Sequence, residues 1–177
     1  TVPGRHVVDD LSLAVRAGEI VCIYGLMGAG RTELLESVAG RGEMSAGRVC
    51  LHGEDISRLS IAERIAKGLV LVPEDRQRDG LVQTMSVGEN LSLASIGAFT
   101  KGLVTSRRRE RHVVEASIEN VHIKADGAEA AIGALSGGNQ QKVVIGKWLA
   151  TNPNVIIVDE PTKGIDIGSK AAVHRFM

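Results

Sequence analysis

The feature that most constrains this chain is a continuous apolar run, residues 20–24 (IVCIY), leading straight into the glycine-rich octapeptide 25–32 (GLMGAGRT) and a helix-like stretch, 33–39. A strand that is apolar throughout, instead of alternating, belongs in a parallel sheet covered on both faces. Two more such runs follow: residues 69–72 (LVLV), halted by Pro73, and 155–158 (VIIV), ending on Asp159 and Glu160. Apolar strands alternating with helices predict an α/β fold with a mainly parallel, right-handed sheet. Leu11, Leu13 and Val15 alternate with Asp10, Ser12 and Ala14, which adds a half-exposed strand over 7–15 and an N-terminal antiparallel β piece.

The helix signals between these runs are local. Gly40 and Gly42 end the first helix, 49–51 reads as a short strand and 74–80 as loop. Ser60 with Glu63, and Ser86 with Glu89, have capping-box spacing, so a helix starts at each, the first ending at Gly68. An exposed helix is predicted over 107–119, its charged face Arg107-Arg108-Arg109-Glu110-Arg111 solvated, and another runs from Gly137 to about Ala150. The length suits one domain over 1–177, in which 1–80 and 136–177 form the α/β core and 81–135 a helical subdomain insertion.

Composition narrows the partners. Lys and Arg number 21 against 21 Asp and Glu, so the basic footprint of a nucleic-acid partner is absent, and no apolar run approaches the roughly 20 residues of a membrane span. Cys22 and Cys50 lie in apolar, strand-like contexts without metal spacing, which predicts small buried hydrophobes in a reducing compartment. Thr1 is no initiator, Met177 falls inside a helical pattern and nothing resembles a signal peptide, so a fragment truncated at both ends is expected.

Three stretches carry chemistry. In 25–32, Gly28 and Gly30 let backbone N–H groups approach phosphate oxygens, with Gly25, Ala29 and Glu33 in the same loop-to-helix turn, and the helix adds its positive end. The spelling is G-x-x-x-x-G-K-[ST] except that Arg31 stands where lysine belongs, and Thr32 is placed to ligate Mg2+. A bare glycine turn is the bland alternative; the strand before it and the acidic strand end downstream favour phosphate. Asp159 and Glu160 sit at the carboxyl end of a strand, where open parallel sheets bind ligands. Asp159 would hold Mg2+, largely through water, and Glu160 would polarise an attacking water. In the third stretch, the Ser136 hydroxyl, the Gly138 N–H and a helix N-terminus make a donor cluster suited to a γ-phosphate.

That third stretch, Leu135-Ser136-Gly137-Gly138-Asn139-Gln140-Gln141-Lys142, closely resembles the signature sequence of ABC-transporter ATPases. With GLMGAGRT, VIIVDEPT and KGID, the order and spacing match that family across nearly the whole chain. The spellings GLMGAGRTEL, EDRQRDGL, MSVGENLSL and LSGGNQQK resemble the second, C-terminal nucleotide-binding domain of the tandem-domain subunits that power bacterial sugar uptake. The resemblance implies a P-loop NTPase core with ATP and Mg2+ as cofactors. It implies that two such domains close head to tail, each ATP lying between one phosphate loop and the other domain's signature, Leu135 to Gln140 here. Gly164 and Asp166 would belong to the dimer loop. The implied partners are a second nucleotide-binding domain, transmembrane permease subunits and, indirectly, a periplasmic sugar-binding protein, with the chain peripheral on the cytoplasmic face of the bacterial inner membrane. Which sugar is carried, pentose, hexose or polyol, is not written in such a domain.

The departures from that family agree in direction. Arg31 brings a planar fork that binds phosphate without occupying the point a lysine ammonium takes. Glu74 replaces the family's glutamine, and a carboxylate cannot donate as an amide does. The first eighteen residues contain no aromatic to stack adenine, only His6 as a weak substitute, and Tyr24 is assigned to the core strand. The family's switch histidine follows a further strand, and His174 reads as a surface helix residue. These features predict a domain that binds nucleotide, turns it over slowly and completes its partner's site. The competing readings are a catalytically competent transport ATPase domain and a non-transport ABC ATPase.

Overall fold

The computed structural model describes residues 7–26, 28–102 and 104–174. Its centre is a parallel pair, β3 (Leu69–Val72) and β6 (Val155–Val158), with Leu69 opposite Val155 and Val72 opposite Val158. All of β3 is buried, as an apolar run with no polar face requires. β6 is covered less fully, with Ile156 38% exposed, which corrects the expectation of a strand buried on both faces. The ladder continues one step, the Asp159 N–H donating to the Val72 carbonyl at 3.0 Å. Pro73-Glu74 and Asp159-Glu160 therefore leave the sheet side by side.

Helix α1 (Arg31–Ala39) packs on β3 and ends at Gly40, whose φ of 83° is the left-handed cap that glycine adopts freely. The hairpin β1 (Cys50–Leu51) and β2 (Glu54–Asp55) leads to α2 (Ile61–Ala66). Further on come α3 (Val87–Ser92), α4 (Ile96–Phe99), the hairpin β4 (Thr100–Lys101) and β5 (Val104–Thr105), α5 (Arg107–Asn120), α6 (Gly137–Leu149) and α7 (Ile167–His174). Both predicted capping boxes form reciprocally: Ser60 accepts from the Glu63 N–H and Ser86 from that of Glu89, while each glutamate reaches back to the serine N–H. α6 packs on β3, α3 and α5 around Val72, Leu91, Val114, Val121, Ile132, Val143 and Val144. A second cluster, Ala39, Leu51, Ile56, Leu69 and Leu71, lies under α1 and the first hairpin.

Several expectations are corrected. Neither 7–15 nor 20–24 forms a strand; Ile20 is 75% and Tyr24 91% exposed, so Tyr24 is no core residue. A strand needs a hydrogen-bonded neighbour, and β3 and β6 pair only with each other among the described residues. Cys22 and Cys50 are exposed free thiols, not buried hydrophobes, because the strands meant to enclose them are absent or only two residues long. Residues 74–80 are not plain loop: Arg76–Gly80 is a single π-helical turn, capped by the Asp75 carboxylate accepting from the Gln77 and Arg78 N–H groups. The region 81–135 holds the β4–β5 hairpin besides its helices, and α5 buries Val114 and Ser117 on its inner face. His6 lies outside the described residues, as does the side chain of His174.

Candidate functional site

The glycine loop leaves α1 with an open N-terminus. Gly30 is the N-cap at φ 81° and offers no side-chain acceptor to the first turn, which carries Arg31, Thr32 and the exposed Glu33. A Cβ on Gly30 would stand 2.9 Å from the Val7 carbonyl oxygen, so both the dihedral and the space demand glycine. Gly28 also adopts a positive φ, 78°, the Ala29 N–H closes the turn on the Leu26 carbonyl at 3.1 Å, and Gly25 sits against Ala29 and the Arg31 stem. Such a turn presents its N–H groups and a helix's positive end to the same point.

The two strand exits bring the acidic residues to that point. Arg31 Nη2 pairs with Glu160 Oε1 at 2.9 Å, with 27% and 40% of the two side chains exposed. A pair so open is worth about 0.2–1 kcal/mol and can be displaced by a ligand. Glu160 itself stands at φ 44°, uncommon for a residue with a side chain. Thr32 Oγ1 reaches Glu74 Oε2 at 3.5 Å, and Glu74 also receives the ammonium of Lys163. That contact holds the Lys163 ammonium above its usual range. Asp159 is 5% exposed, and burial pushes its carboxyl up; a hydrogen bond from Thr32 opposes this, while Glu74 and Glu160 add to it. A cavity of about 240 Å³ opens beside Thr32, lined also by Glu36, Glu74, Asp75, Asp79 and Asp159, with Arg78 at its wall. Among the described residues no three acidic, His or Cys side chains close on a common point as a metal cage would.

None of the signature residues 135–140 lines this cavity. Ser136 is exposed and caps α6, accepting from the Asn139 backbone N–H at 3.4 Å and its side-chain amide at 3.1 Å. Asn139 Oδ1 accepts from the Lys124 N–H, and the buried Gln140 amide donates to the Ile132 carbonyl. Leu135 packs against the main core, and Gly138 is buried. Gly164, at φ 66°, and Asp166 lie between β6 and α7. Lys163 and Arg76 carry no site signal of their own in the sequence, although both lie inside resembling stretches, KGID and EDRQRDGL.

An open phosphate-type loop against an acidic strand end, on a parallel sheet, defines a P-loop nucleotide-binding class of protein. The chain belongs to the ABC transporter family, which matches residues 8–163. The ribose import ATP-binding protein RbsA of a Jannaschia species is 48% identical over 169 residues, 96% of this chain and 33% of the relative. The xylose import ATP-binding protein XylG of Photobacterium profundum is 45% identical over 172 residues, 96% of this chain and 34% of that one. The chain thus spans about a third of the length of these relatives. The fold is similar to the dimeric, ADP- and Pi-bound post-hydrolysis form of the ATP-binding cassette MJ0796, with TM-score 0.82 and 23% identity over 96% of this chain and 72% of that one. It is also similar to the cassette MJ1267, with TM-score 0.81 and 26% identity over 96% and 68%.

Proposed function

We propose that this chain is an ATP-binding domain of a carbohydrate-import ABC transporter, holding Mg-ATP at a degenerate phosphate loop and lending its signature to a partner domain's ATP site. The single observation that carries the reading is Arg31 lying on Glu160 at the mouth of the glycine loop. The cation that would grip phosphate and the carboxylate that would polarise water occupy each other. Nucleotide must separate them, and Arg31 then meets phosphate as a fork beside the β- and γ-oxygens. Gly25, Gly28, Ala29, Gly30, Thr32 and Glu33 would frame the phosphates, with Glu74 at their edge.

The residues present fit Mg2+. Burial and two neighbouring carboxylates load Asp159 with unfavourable charge, which a divalent cation would relieve, and the Thr32 hydroxyl adjoins it. Thr32 and Asp159 would hold the ion, phosphate oxygens and water completing its shell. Bound there, Mg2+ supplies neutralisation of phosphate charge. With Arg31 unable to take the point a lysine ammonium occupies between the phosphates, turnover at this site is low.

Ser136, exposed at the N-terminal tip of α6, supports the shared-site reading, because its side chain stays accessible at the positive end of that helix. Residues 135–140 then face a second nucleotide-binding domain, with Gly164 and Asp166 in the loop between the two. Residues 81–135 form the helical subdomain that, with 74–80, meets permease subunits fed by a periplasmic sugar-binding protein. No helix among the described residues is long and apolar enough to cross a membrane; the domain works as a peripheral piece on the cytoplasmic face.

Steady-state ATP hydrolysis by this chain, compared with Arg31→Lys, tests the reading. Low wild-type turnover that rises at least severalfold in Arg31→Lys, alongside saturable Mg-ATP binding, is expected. Substantial wild-type turnover would favour the competent-enzyme reading instead.

A further inference from the structure

Outside the loop and its carboxylates, one side chain ties together three segments that are far apart in sequence. Arg76, first residue of the π-helical turn, donates from Nη1 to the Lys163 carbonyl at 3.0 Å and from Nη2 to the Gly164 carbonyl at 3.3 Å. The same Nη2 stands 2.7 Å from where a Cβ on residue 137 would lie, and the Gly164 oxygen 3.2 Å from it, so a side chain at the first residue of α6 would push the guanidinium aside. Its Nε is buried. The far end of the turn is fixed too, since Lys147, from the last turn of α6, donates to the Gly80 carbonyl. One five-residue turn is thus hydrogen-bonded to the last turn of the signature helix and to the loop that follows β6, and lies against the first residue of that helix.

We infer that Arg76 is a positioning residue for the shared ATP site: its guanidinium fork sets the Lys163-Gly164 loop against the start of α6, and so fixes where the Ser136 hydroxyl points. The inference rests on the proposed shared use of the signature. A planar fork with two parallel donors holds two successive carbonyls in one fixed geometry, which a freely rotating ammonium on a flexible stem does not. Lys163 lies on the same loop and its ammonium donates to the Glu74 carboxylate, so the segment 74–76 holds this loop by a side chain as well as by its backbone. A displacement of the turn therefore reaches the loop and the helix tip together.

The test uses the full-length protein carrying this chain, where both ATP sites form, with Arg76→Gln, Arg76→Lys and Ser136→Arg. Three quantities are read: ATP turnover, affinity of the Gly28 to Thr32 loop for a fluorescent ATP analogue, and Tm. Arg76→Gln is expected to lower kcat at least tenfold while analogue affinity stays within twofold and Tm within two degrees. Arg76→Lys, keeping a cationic donor without the fixed fork geometry, is expected to recover part of the loss. Turnover of Arg76→Gln within twofold of wild type, in a background where Ser136→Arg abolishes it, overturns the positioning role alone. Parallel loss of affinity, Tm and turnover in Arg76→Gln also overturns it, since the residue is then merely structural. If Ser136→Arg leaves turnover intact, the shared-site reading has failed, and the inference with it.

Discussion

Arg64 is the side chain on which the end of the loop-bearing helix depends most. It is 3% exposed, sits in the last turn of α2, and spends its donors on backbone alone. Nε donates to the Leu59 carbonyl at 3.0 Å, Nη1 to those of Ser37 and Val38 at 3.1 and 2.6 Å, and Nη2 to that of Ser57 at 2.7 Å. Ser37 and Val38 close α1, where a cation also meets the helix's negative end. Burial lowers the guanidinium's pKa from its usual value, and no carboxylate is among its hydrogen-bond partners. In Arg64→Met the apolar stem is kept and the donors are lost. The Ser37 oxygen retains the Gly40 N–H, leaving three carbonyls short of a partner. At roughly 1 to 3 kcal/mol per buried acceptor left unpaired, less the relief of no longer burying a charge, the net loss is about 3 kcal/mol. Urea unfolding followed by far-UV circular dichroism measures it. Arg64→Lys, able to serve one or two of the carbonyls, should lose about half as much. Arg64→Met within 0.5 kcal/mol of wild type at an unchanged m-value, a threshold near ordinary surface substitutions, about ±0.5 kcal/mol, would refute the pinning argument.

Other outcomes follow from the same geometry. Asp159→Asn removes a carboxylate whose pKa burial has raised; a raised acid costs stability at neutral pH, so the ligand-free variant should melt a few degrees higher, yet lose the extra stabilisation that Mg2+ gives with ATP. Lys147, buried and pushed down to about 8, should make stability climb with pH between about 8 and its unfolded value of 10.5, because the unfolded chain binds the extra proton there; Lys147→Met should flatten that climb in denaturation midpoints taken at pH 7.5 to 10.5. Gly30→Ala, strained at φ 81° and against the Val7 carbonyl, should weaken ATP-analogue binding by about tenfold or more, read by fluorescence titration.

What the sequence disclosed was what neighbouring residues decide. Ser60 with Glu63 and Ser86 with Glu89 need only three residues to satisfy an N-terminus, and Pro73 needs only itself to end β3. The loop at Gly28 and Gly30, and the pairing of Asp159 and Glu160 with a strand end, were legible for the same reason. Residues 20–24 misled because an apolar run declares a preference for burial and says nothing of which sheet edge will accept it. Arg64, Arg76 and Lys147 were invisible as structural ties, since each acts on carbonyls, which every residue possesses and no side-chain pattern announces. The Arg31 substitution was plain, whereas its landing on Glu160 needed the fold.

If this domain's signature works for a neighbour while its own loop holds nucleotide idly, the two sites must respond differently to substitution. The deciding comparison is ATP turnover of the full-length protein carrying Ser136→Arg against one carrying Glu160→Gln. Ser136→Arg is expected to abolish turnover and Glu160→Gln to leave most of it; abolition by Glu160→Gln with Ser136→Arg active would contradict the division of labour.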